Sequence, residues 1–273
     1  MQYENLPFTL LVDKFINMKD ISLKNRLKYR MKPLKAFRHF RNLMANKEDT
    51  TQVFHIIKAL NGARPFKVFK AFLETPEGQA RFQERRYLPP LLDNHAELAK
   101  LPANTVGSAY LHFMQSQGLT AQGLVDEYAK FETTNKFEAS EDFMWFANRL
   151  RDTHDLLHVF TGYSRDALGE ACVLGFTYSQ DKNIGARFIA YMAGLEIKKS
   201  VPKGAPVLAA IRQGEALGRA AAKIYSQDIM ALMEEDLESA RKRLSVGTPT
   251  RYFEVHEALR SKNIDPYGLI AAA

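Results

Sequence analysis

Two histidines and two carboxylates stand close together in the stretch from Arg149 to Phe176, RLRDTHDLLHVFTGYSRDALGEACVLGF. His154, Asp155 and His158 occupy positions i, i+1 and i+4, and Glu170 follows after eleven intervening residues. At about 100° per residue, a helix keeps the first three side chains within an arc of about 100°, so they converge on one point beside it. Thr161-Gly162-Tyr163-Ser164 reads as a break, and Ser164 or Asp166 as the cap of a second helix that brings Glu170 to the same point. Imidazoles and carboxylates together bind a divalent cation, and this oxygen-rich set suits Zn²⁺, Mg²⁺, Mn²⁺ or Fe²⁺. The competing reading makes His154 and Asp155 a helix-surface pair and His158 a packing histidine, since short motifs recur by chance. The spaced Glu170, and Phe143, Phe146, Leu150 and Leu157 on another face, favour the metal.

Around this group, Arg149 and Arg151 are the candidate anchors for a ligand. Arg151 precedes His154 by three residues and so shares its face. Its guanidinium either grips a carboxylate or phosphate bidentately or steadies Asp155 or Glu170. Arg165 and Asp166 read as turn residues at the surface. The single cysteine, Cys172, excludes an intramolecular disulfide and reads as a small core residue. His55 and His112 each sit between apolar neighbours and read as packing residues. His95 has no assigned partner. There is no internal repeat, phosphate-cradling glycine loop, Ser-His-Asp set or Cys-His set.

The motif, embedded in RLRDTHDLLHVFTGYSRDALGE, resembles the signature of the coenzyme Q (ubiquinone) biosynthesis protein 4 family. LPANTVGSAYLHFMQSQGL (Leu101 to Leu119) and QGEALGRAAAKIYSQDIMALMEEDLESARKRL (Gln213 to Leu244) are similar to two further blocks of that family, so the resemblance spans about residues 60–246. It implies an all-helical, membrane-associated protein that binds prenylated lipid and a divalent metal, usually zinc, through His154, Asp155, His158 and Glu170. It also implies a lyase role: removing the carboxyl group of a polyprenylated hydroxybenzoate of the 4-hydroxy-3-methoxy-5-polyprenylbenzoate type, with hydroxylation of the same ring carbon. The alternative it carries is a non-catalytic scaffold that holds prenyl or quinone lipid, gathers other ubiquinone-biosynthesis proteins and uses a structural metal. A metal-dependent hydrolase is a third reading, for which the further histidines and aspartate are not identifiable.

The elements that must position these residues read as helices throughout. With 273 residues, 46% of them apolar, the chain can bury one large core. The expected architecture is all-α, a single multi-helix domain with the metal site between two adjacent helices. Residues 1–48 form a basic amphipathic segment, 49–246 the helical metal-binding domain and 247–273 an extension, with a short helix from Tyr252 to Arg260 and a disordered alanine tail. The net charge of +7 calls for an anionic partner. Lys24, Arg26, Lys28, Arg30, Lys32, Lys35, Arg38 and Arg41, interleaved with apolar residues, point to an anionic membrane face, and a helix should begin after Pro33. No recognised nucleic-acid-binding motif accompanies the charge. No window approaches the ~20 apolar residues of a membrane span, and the amino terminus lacks the basic start of a secretory signal. The expected location is peripheral, on the cytoplasmic face of a bacterial inner membrane or the matrix side of the mitochondrial one. Pro206 to Leu244 reads as one long helical segment. Its Gly214 and Gly218 permit close helix packing within the domain or in a homodimer.

Overall fold

Threonine, serine and aspartate caps start several of the helices, among them the one that carries Glu170. Thr105, Ser140 and Asp166 accept from the N–H groups of Ser108, Phe143 and Gly169, each satisfying a donor that a helix end leaves unpaired. The computed structural model describes residues 30–46, 49, 51–134 and 140–270, and its regular elements are all helical. In chain order they are α1 (Pro33–Ala45), α2 (Thr51–Asn61), α3 (Arg64–Leu73), α4 (Pro76–Glu84), α5 (Pro89–Leu92), α6 (His95–Leu98), α7 (Val106–Ser116) and α8 (Ala121–Thr134). There follow α9 (Glu141–Asp152), α10 (His154–Thr161), α11 (Ala167–Asp181), α12 (Ile184–Ser200), α13 (Val207–Ala220), α14 (Ile229–Glu234), α15 (Leu237–Arg243) and α16 (Thr250–Arg260). Lys24, Arg26, Lys28 and the terminal alanines lie outside the described residues.

The centre of the molecule is the α11/α13 pair. A Cβ on Gly214 would stand 2.5 Å from the Cys172 carbonyl oxygen, and one on Gly218 would stand 2.4 Å from that of Phe176. The two glycines thus serve close packing inside the domain. Ser179 Oγ donates to the Glu215 carbonyl at 2.7 Å and Gln180 Nε2 to that of Gly218 at 2.8 Å, fixing the register. Around this pair the main core gathers Val106, Tyr110, Leu156, Phe160, Phe176, Ile211 and Leu232. A second cluster joins α3 to α9 through Phe69, Phe72 and Phe146. A third joins α1, α2 and α12 through Phe40, Ile56 and Ile189.

Two expectations change. The segment from Pro206 to Leu244 is not continuous: it leaves the helix after Ala220, makes one 3₁₀ turn at Ile224–Ser226 and restarts twice. The Gln180 side chain accepts from Ile224 N, which diverts the backbone from helical pairing, and Asp228 and Asp236 cap the restarts. Helix α16 is no loose extension, because Tyr252, Val255 and Leu259 are fully buried in the main core. Arg241 donates to the Val159 and Phe160 carbonyls and so caps the C-terminus of α10.

Candidate metal centre

The helix expected to run through the motif bends just before it. Thr153 Oγ1 donates back to the Arg149 carbonyl at 2.9 Å, a side-chain bond that competes with the helical ladder and bends it. A new helix, α10, starts at His154. Its buried residues Leu156, Leu157, Val159 and Phe160 seat it in the core, so His154 and His158, one turn apart, share the remaining face. Gly162 closes α10 with φ +75, and the turn that follows brings the Tyr163 carbonyl to the His158 ring edge. Asp166, rather than Ser164, caps α11, and Glu170 stands in its first turn.

One ligand atom from each of His154, His158 and Glu170 lies within 4.8 Å of the others. His158 Nε2 is 3.6 Å from Glu170 Oε1 and, though buried, has no hydrogen-bond partner. Its other nitrogen, Nδ1, is 3.0 Å from the Tyr163 carbonyl. A carbonyl can only accept, so Nδ1 carries the proton and Nε2 presents a lone pair, the arrangement in which a backbone carbonyl orients a metal-binding imidazole. Ligand atoms about 2.1 Å from a tetrahedral cation are about 3.4 Å apart, so the His158–Glu170 pair is already at metal-binding separation. The donor set therefore fits a divalent cation, and three protein ligands leave a position open.

Electrostatics prepare the same atoms. Burial, and then the neighbouring His158, push His154 below its ordinary pKa towards the neutral form. Burial opposes ionisation of Glu170, but His158, His154 and Arg165 outweigh it and hold the carboxyl at about 2. For His158, burial favours the neutral ring, yet Glu170, Asp155 and the Tyr163 carbonyl raise it above its ordinary value. A cation at the site takes the place of that proton.

Asp155 is not brought into this group. Consecutive residues on a helix point about 100° apart, and Asp155 lines the cavity beside His154. Arg149 is not an anchor either: it is 4% exposed and donates to the Tyr225 and Gln227 carbonyls, both at 2.6 Å. Arg151 pairs with Asp152 rather than Asp155 or Glu170 and lies over the Tyr128 ring, although it also borders the cavity. The cation beside the centre is Arg165, whose Nε is 3.4 Å from Glu170 Oε1. Asp166, expected at the surface, is 2% exposed. The sequence signal for Asp166 was its place three residues before Gly169 at a helix start, and Arg165 had none. His112 is exposed, and Cys172 is a core residue.

A cavity of about 1,680 Å³ opens from His154, Asp155 and Glu170. Ligand pockets commonly hold about 300–1,000 Å³. Its walls include Phe40, Leu43, Leu124, Leu150, Leu174 and Met192, and Arg30, Lys32, Lys35, Phe37 and Arg41 also border it. On and just before α1, Met31, Leu34 and Phe37 are 40%, 87% and 47% exposed beside these basic residues. No helix among the described residues is long and apolar enough to cross a membrane.

Residues 40–249 match the family described as Coenzyme Q (ubiquinone) biosynthesis protein Coq4. The mitochondrial ubiquinone biosynthesis protein COQ4 of Candida tropicalis is 25% identical over 194 residues, covering 67% of this chain and 54% of the relative. The mitochondrial COQ4 homologue of Bos taurus is 27% identical over 122 residues, 44% of this chain and 43% of the relative. The chain thus spans about half the length of the curated relatives it matches. A crystal structure of a Nostoc punctiforme protein, provisionally assigned to ubiquinone biosynthesis, has the same fold, with a TM-score of 0.60. It is 22% identical and covers 80% of this chain and all of its own.

Proposed function

Because the chain belongs to the Coq4 family of ubiquinone biosynthesis proteins, we propose that it removes the carboxyl group of a polyprenylated hydroxybenzoate at a divalent metal on the surface of an anionic membrane. The observation that carries this reading is the placement of the His154, His158 and Glu170 group at the wall of a large, mainly apolar cavity. A polyprenyl chain gains about 0.8 kcal/mol for each methylene it buries, so the cavity takes the tail and the polar ring stops at the charged group. Helix α1, with exposed Leu34 and Phe37 among basic residues, is the side we assign to the membrane, where the tail can enter without crossing water.

The chain's own residues do the positioning. His154, His158 and Glu170 hold the cation, with zinc, manganese, iron and magnesium all compatible with the donors. Arg165, bordering the same cavity, is the anchor we assign to the ring carboxylate, since Arg149 and Arg151 are engaged elsewhere. With the prenyl tail in place, the apolar walls exclude water and strengthen these contacts. When bound, the cation supplies Lewis-acid stabilisation of the negative charge that grows on the ring as CO₂ leaves, and hydroxylation of that carbon would require Fe²⁺ or Mn²⁺ rather than redox-inert Zn²⁺. Replacing the ring carboxylate by hydrogen consumes one proton, and Asp155, on the cavity wall with His154, is the residue we assign to relay it.

The test supplies prenylated hydroxybenzoate, labelled at the carboxyl carbon, to protein loaded separately with Zn²⁺, Mn²⁺ or Fe²⁺. Release of labelled CO₂ that disappears in His158→Ala is the expected result. No release with any of the three, alongside measurable prenyl-lipid binding, would replace the lyase by a lipid-presenting scaffold for the other enzymes of the route.

A further inference from the structure

We propose that helix α16 positions Glu170 for the metal through a buried clamp of Tyr252, Asp166 and His256, which makes Tyr252 and His256 positioning residues of the centre. The proposal rests on the metal reading above and adds to it a segment beyond the residues that match the family, which end at 249. Asp166 caps the helix that bears Glu170: its Oδ1 accepts from Leu168 N at 3.1 Å and Gly169 N at 3.2 Å. The rest of the carboxylate is taken up by α16. Tyr252 donates its hydroxyl to Oδ2 at 2.5 Å, and His256 Nε2 lies 3.3 Å from Oδ1. The same hydroxyl oxygen accepts from Ser164 N at 3.2 Å, so one phenol ties together both ends of the turn leading into α11.

All three side chains are shut away from solvent, with Asp166 2% exposed and Tyr252 and His256 each 1%. The His256 ring stands 4.1 Å from that of Tyr252 and edge-on to Tyr267 at 5.3 Å. A cap so fully bonded governs the first helical turn, and Glu170 is in that turn, its own N–H donating to the Asp166 carbonyl at 2.9 Å. First turns fray unless capped, and a metal site tolerates about 0.5 Å of ligand displacement. Fraying here separates Glu170 from His158, whose position depends on α10 and Tyr163 instead. The clamp therefore sets how well the third ligand meets the other two.

Co²⁺ serves as the probe, because its visible spectrum reports coordination and a competing chelator gives its affinity. Tyr252→Phe removes only the hydroxyl. We expect Co²⁺ affinity to fall about tenfold, the scale of outer contacts to metal ligands, with a changed spectrum and faster amide exchange at Leu168, Gly169 and Glu170. His256→Leu is the second variant, used where Tyr252→Phe does not fold. Ile56→Val in α2, outside the cavity wall and matched for loss of Tm, controls for general destabilisation and should leave affinity and exchange at those amides unchanged. Tyr252→Phe binding Co²⁺ as tightly as the wild type, or losing no more than the control, overturns the proposal. A wild-type chain that takes up no Co²⁺ removes the metal reading itself, and the clamp's role with it.

Discussion

Asp181→Asn should abolish a pH dependence of stability that the cavity imposes on the wild type. Glu170, Leu174, Thr177 and Asp181 follow one another at i, i+4, i+7 and i+11 on the cavity face of α11. Burial pushes the Asp181 carboxyl up from 3.8 to about 7, against the opposing pull of the Asn183 N–H and of Lys223. A carboxyl raised in the folded state contributes stability that is complete below 3.8 and is lost as pH climbs through 7. A rise from 3.8 to about 7 sets a ceiling of ~4 kcal/mol. Water reaching this half-buried group from the cavity screens part of that, and about 2 kcal/mol is the figure we expect between pH 5 and 8. Urea unfolding of both proteins across that interval measures it, because other titrating groups cancel in the difference. Asparagine should gain about 2 kcal/mol on the wild type as pH rises, and prenyl-lipid retention above pH 7 should improve with it. A difference that stays flat from pH 5 to 8 would refute the claim that this wall is held neutral.

Arg149→Met leaves the Tyr225 and Gln227 carbonyls without their donor and should cost about 2–4 kcal/mol in chemical denaturation, with label release per folded molecule unchanged; lost turnover in a fully folded variant would return Arg149 to the site. Arg165→Ala should raise KM for the labelled benzoate about tenfold, the equivalent of one charge-assisted hydrogen bond of about 1.4 kcal/mol, and an unaltered KM would remove it as the anchor. Replacing Arg30, Lys32, Lys35 and Arg38 by Glu should abolish flotation with anionic vesicles, since each basic side chain near such a surface contributes about 1 kcal/mol; flotation that survived would place the anchor elsewhere.

The sequence was most informative where spacing is local. His154 and His158 fall one turn apart, Gly162 breaks the chain and Glu170 follows a cap, so the grouping of these three side chains and the helical class could be read directly. Asp155 shares the five-residue motif but stands outside the group, because the spacing alone allowed all three side chains within one arc of about 100°. Thr153 bends the helix through a bond to Arg149 that no hydrophobic periodicity encodes. The least legible features depend on partners far along the chain. Arg149 reaches carbonyls 76 and 78 residues away, Gln180 interrupts the helical run 44 residues later at Ile224, and Asp166 meets Tyr252 and His256 at separations of 86 and 90. Only folding brings those groups together, which is why Asp166 looked like surface and the C-terminal helix like an appendage.

If His154, His158 and Glu170 hold a divalent metal as proposed, elemental analysis of the purified chain should find about one divalent cation per wild-type chain and close to none in His158→Ala, whose circular dichroism should match the wild type. Equal metal content in the two proteins would contradict the proposal.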